Sequence, residues 1–131
     1  MKTPVAFALL AAVSLSGCVA NRAAPLAETG TYQPGALAVA AIGQRDWGHA
    51  EQLLTDRHRG GADDPARMIN LGKVYWETGR QDQARALWHR AAEMAPVEVE
   101  TTGGRTVTTV MLAREALAAY GPGAPVVALR R

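Results

Sequence analysis

The sequence predicts an all-α fold: a short α-solenoid of about two helix-turn-helix repeats, closed by a C-terminal capping helix and carrying a small β-hairpin. Three observations predict it. Residue types recur in register at a period of 34 between 34 and 97, and such periods mark stacked two-helix units. Apolar residues fall three and four apart within those units and again from Thr109 to Tyr120, which is helical spacing. Between them, residues 97–109 alternate apolar and polar around Gly103-Gly104, which is hairpin patterning.

The chain starts with one cation, Lys2, and an apolar run from Val5 to Leu15, followed by Ser16, Gly17 and the single cysteine, Cys18. A positive start, an apolar middle and a small-residue site make an export signal. The run is well short of the roughly 20 residues a bilayer-spanning helix needs, so residues 1–17 read as a signal peptide and not as a lasting span. Leu15-Ser16-Gly17-Cys18 resembles the lipobox of bacterial lipoproteins. The resemblance implies lipid attachment at Cys18: a diacylglycerol on the sulfur, cleavage just before the cysteine, and a further acyl chain such as palmitate on the freed amine. No other cofactor is expected. The alternative is an ordinary secretory signal with Cys18 left as a free thiol or an intermolecular disulfide. Two or three acyl chains anchor stably where one does not. In the family's sorting rule Val19, standing where an Asp would retain the protein in the inner membrane, favours the periplasmic side of the outer membrane.

Residues 18–33 read as the lipidated cysteine and a flexible tether, since "VANRAAPLAETGTYQ" has no apolar stripe and contains Pro25 and Gly30. Fifteen such residues extend to at most about 50 Å and average nearer 20 Å, which keeps the folded part close to the membrane. At the other end, residues 122–131 read as a flexible tail because Gly121, Pro122, Gly123 and Pro125 crowd its start.

Residues 64–97 form the stronger repeat. Asp64 is suited to cap a helix with Pro65 at its first position, and Met68, Leu71 and Tyr75 share one face of a helix over 65–78. Gly72 and Ala84 are small where two helices must cross closely. Gly79 can end the first helix in the left-handed conformation, and Asp82 suits the positive start of the second. Ala84, Leu87, Trp88 and Ala91 make the inner face of that second helix, and Pro96 stops it. Met68, Leu71, Gly72, Tyr75, Ala84, Trp88 and Pro96 together resemble the tetratricopeptide repeat (TPR) pattern. Residues 34–63 resemble it more faintly: Leu37, Ala38, Ala50 and Leu54 stand 34 positions before Leu71, Gly72, Ala84 and Trp88. Pro34, Ala41, Arg57 and Ala62 depart from the pattern. This degenerate repeat is expected to hold helices near 35–44 and 46–58. Two units are fewer than such arrays generally need, so residues 98–121, the hairpin or loop plus capping helix, are expected to cover the open end, or a partner's sheet or helix completes the fold.

The charge balance, 14 Lys+Arg against 12 Asp+Glu, leaves a formal net charge of +2 with no basic stripe, which argues against nucleic acid as a partner. His49, His58 and His89 are the candidate general bases. His49 and His58 do not share a helix face, and no His spacing suits a metal, so neither catalytic nor metal-binding residues are assigned and the chain is not read as an enzyme.

The TPR resemblance implies a concave groove that holds a peptide or helix of another protein. By register its lining is Val39, Ile42, Ile69, Lys73 and Trp76. For Ile69 and Trp76 the alternative is packing under the C-terminal hairpin or helix, and for Lys73 it is a solvated side chain. Asn70 matches a residue common in the family and is read as structural. The expected function is a lipid-anchored periplasmic TPR adaptor that binds another envelope protein, in assembly of a pilus, secretion or cell-envelope complex. A structural, self-associating envelope lipoprotein and a non-catalytic accessory of a cell-wall enzyme are the alternatives.

Overall fold

The computed structural model describes residues 36–119 and 126–130. The expected signal segment, Cys18 and the expected tether lie outside the described residues. Among those described, five α-helices and three strands follow in the order α1 (Val39–Gly43), α2 (Trp47–Thr55), α3 (Pro65–Glu77), α4 (Gln81–Glu93), β1 (Glu98–Thr101), β2 (Thr106–Thr108), α5 (Thr109–Ala119) and β3 (Val127–Arg130). The fold is mostly helical, but it is not all-α, because the strands form one antiparallel sheet in the order β2-β1-β3.

α3 is the central element. Asp64 caps it by accepting from the N–H groups of Ala66 and Arg67, and Pro65 occupies its first position. Gly79 ends its last turn at φ 81°, where a side chain would be strained. The expected inner face is only partly right: Met68 is buried, whereas Leu71 and Tyr75 are half-buried, and Ile69, Asn70, Lys73 and Val74 are buried as well. A helix enclosed on several sides has more than one inner face. α4 covers one of them through Trp88, whose indole Nε1 donates to the Ile69 carbonyl at 3.1 Å. Gly72 permits that contact, since a β-carbon there would fall on the indole nitrogen itself.

α1 is shorter than the expected 35–44 helix. Ala38 adopts the left-handed conformation at φ 54°, which a right-handed helix cannot pass through, so residues 36 and 37 form a turn that delivers buried Leu37 to the core. α2 ends at Thr55 instead of 58. Asp56 is extended, and its side chain accepts from the His58 N–H to start a separate 3-10 turn, Arg57–Arg59.

The hairpin forms as expected, with Val99 opposite Val107 and Gly104 at φ 76° in its turn. The tail departs from expectation. Val127–Arg130 is not a loose end but a third strand, pairing Thr101 with Val127 and Glu100 with Leu129. A two-strand ribbon is marginal by itself, and β3 gives β1 a second neighbour while placing Val127, fully buried, in a core with Leu37, Val39, Ile69, Val99 and Leu112.

α2 and the α3–α4 turn are tied by Arg80, whose guanidinium donates to both Glu51 carboxylate oxygens at 2.7 and 2.6 Å and lies 4.1 Å over the Tyr75 ring. The hydrogen bond from Arg80 holds the Glu51 carboxyl below its ordinary pKa against the opposing effect of burial. A lowered folded pKa means the pair stabilises above the unfolded glutamate value and loses that effect as pH falls through the folded one.

Two outcomes follow. Gly72→Ala should destabilise the fold by about 1–3 kcal/mol through overpacking against Trp88, read from urea denaturation. Glu51→Gln should flatten the acid limb of the stability profile, so that native and variant converge at low pH and diverge towards neutrality.

Candidate functional site

Of the expected groove residues, the structure brings Val39 and Ile69 into one core cluster and Ile42 into the neighbouring one, all buried. Ile69 has no exposed surface. These three therefore offer no open lining in this conformation. Lys73 is neither solvated nor on an open face: it is buried, and its Nζ donates to Glu77 Oε1 at 2.7 Å. Trp76 is half-buried and stacked on Trp88 at 5.9 Å between ring centroids, beside Ala116 and Leu117 of α5. Packing beneath the C-terminal elements, the alternative reading for Ile69 and Trp76, is what the geometry has.

The face expected to be a groove is thus occupied, and its occupant is the chain itself. Asn70, fully buried on α3, donates from Nδ2 to the carbonyls of Leu37 and Val127, both at 2.8 Å, and accepts the Val127 N–H on Oδ1 at 2.8 Å. One amide so reads both backbone groups of a strand residue, as a neighbouring strand would. Nothing in these bonds involves the Val127 side chain.

A second concave feature lies on the α2 side of α3. A cavity of about 250 Å³ opens between Leu54 and Thr55 of α2, Arg57, Gly60 and Ala62 of the connection, and Arg67 and Leu71 of α3. Arg67, 4% exposed, extends Nη2 to the carbonyls of Leu53, Leu54 and Asp56 at 3.2, 2.6 and 2.9 Å. It thereby satisfies the acceptors left over at the end of α2. Its other terminal nitrogen, Nη1, is buried and has no hydrogen-bond partner among the described residues. Sequence reasoning passed over Arg67, because an arginine in a first helical turn looks like any solvated surface residue.

His49, His58 and His89 are all exposed, on α2, the 3-10 turn and α4 respectively. Among the described residues no cluster of three metal-ligating side chains occurs, and no helix is long and apolar enough to cross a membrane.

Asn70→Asp should keep the acceptor for Val127 and lose both donations, while setting a carboxylate against two carbonyl oxygens. The expected loss is about 3 kcal/mol or more, with the Val127 amide losing its protection from hydrogen exchange before the amides of α4. No protein-family model, curated protein or solved structure matches the chain.

Proposed function

We propose that the chain is a lipid-anchored, non-catalytic binding module that holds another envelope protein on the periplasmic side of the outer membrane, and that its helices are a shortened TPR-type solenoid. The anchor rests on Leu15-Ser16-Gly17-Cys18. The solenoid rests on the register at 34 residues and on the close approach of Gly72 to Trp88, the two positions where that pattern asks for a small and a large residue.

One observation carries the binding reading: Asn70 holds an extended segment by its backbone alone. Recognition of main-chain groups is indifferent to sequence, with specificity left to the side chains that fit the pockets. In this reading a partner strand exchanges with β3 over Val39 and Ile69, and Trp76 lies at the end of the same face. The homomeric alternative has a structural basis of its own, since β3 of a second copy offers the same groups.

The test is photo-crosslinking in cells from Ala40, an exposed position beside Val39, in the native protein and in Val127→Thr, which weakens the tail's seat. One envelope protein captured by the native chain and captured more strongly by the variant supports the adaptor. Capture of the chain by itself favours the homomeric reading, and equal capture of unrelated proteins by both sinks the exchange. The native chain should incorporate labelled palmitate and Cys18→Ser should not; no incorporation by the native chain, or equal incorporation by both, would rule out the anchor.

A further inference from the structure

The cavity beside Arg67 has an electrostatic imbalance. A guanidinium removed from water is ordinarily paired with a carboxylate. Among the described residues Arg67 has no such partner. The nearest acid along the chain whose carbonyl it bonds, Asp56, has its carboxylate engaged by the His58 N–H at 2.9 Å and by Arg59 at 3.3 Å. The carbonyls at the end of α2 answer Nη2 but leave Nη1 unanswered. Arg57, exposed, adds a second positive charge to the same cavity.

The rest of the lining decides what kind of anion would fit. Leu54, Leu71 and the Ala62 methyl are apolar, and a compact oxyanion such as phosphate would leave them uncovered. A carboxylate on a short hydrocarbon body satisfies both parts: its oxygen meets the guanidinium in a charge-assisted bond and its carbons cover the leucines. The volume, about 250 Å³, lies just below the usual range for drug-sized ligands, which points to a molecule of small size.

We propose that this cavity is a binding site for a small organic carboxylate, with Arg67 Nη1 as its anchoring donor. Gly60 lies over that nitrogen. A β-carbon at that position would stand 2.7 Å from Nη1, so the backbone lies directly against the guanidinium. The carboxylate reaches Nη1 as Gly60 and Gly61 move back, a displacement that a pair of glycines permits. The site is separate from the Asn70 face and does not depend on the proposed exchange of β3.

The experiment is a titration of the whole mature chain with 4-methylpentanoate, followed by amide resonances, with 4-methylpentanamide and inorganic phosphate as controls. Saturable shifts at Leu54, Gly60 and Gly61 are expected, with the amide at least about tenfold weaker, since it lacks the charge-assisted bond. Ala62→Phe, which fills the cavity from an exposed loop position without touching the bonds of Arg67 to α2, should abolish the shifts while leaving the other resonances in place. N-acetylglycylleucine separates two sources of the same group: binding tighter than 4-methylpentanoate assigns the carboxylate to a peptide end, and weaker binding assigns it to a free acid. Equal binding of acid and amide, tighter binding of phosphate, no saturable shift, or shifts that persist in Ala62→Phe would each overturn the proposal.

Discussion

The structure turns on the Asn70 side-chain amide. It sits with no exposed surface in the middle of α3, and it joins three segments far apart in sequence: the turn before α1, α3 itself, and β3. Each bond answers a buried backbone group, and leaving such a group unpaired is costly inside a low-dielectric core. Because the amide orients the Leu37 and Val127 main chains, it also decides which side chains meet Ile69. The apolar cluster of Leu37, Val39, Ile69, Leu112 and Val127 is assembled around a polar hub.

That hub bears on how so short a helical array is closed. A helical pair buries one face on its partner and needs a neighbour for the other. Here α4 takes one side of α3, with Gly72 and Trp88 in contact, while α2, β3 and α5 pack against the rest of its surface. The sheet performs the covering that a further helical unit would perform in a longer array, and among the described residues Met111 on α5 is the large apolar side chain left exposed.

Legibility followed the range of the interactions. The ends of α3 were readable because Asp64, Pro65 and Gly79 act within a turn of their own positions, and Trp88 was readable because its apolar neighbours recur at helical spacing. The hairpin was readable from alternation and its glycine pair. What periodicity could not show was the second face of α3. Ile69, Asn70 and Lys73 are buried by elements that arrive from elsewhere in the chain, and a pattern of one face says nothing about what covers the other. The short run from Val126 to Leu129 behind two prolines looked loose for the same reason: its partners, Thr101 and Asn70, are remote. Ala38 gave no warning, since alanine is an ordinary helix former and a left-handed alanine is unusual. Arg67, the key residue of the candidate cavity, carries no motif; only its burial distinguishes it.

The bond from Asn70 to Val127 spans 57 positions, against 19 for the bond from Trp88 to the Ile69 carbonyl. Closing the longer loop costs about 1 kcal/mol more in chain entropy, and nothing local prepares it. The α3–α4 pair can therefore assemble early, around Trp88 and within a short stretch of chain, while β3 docks late onto a surface already formed. Until it does, Asn70 Oδ1 and the part of Ile69 that Val127 covers lie open, so the interval between the two events is when this chain is most open to pairing with a foreign strand.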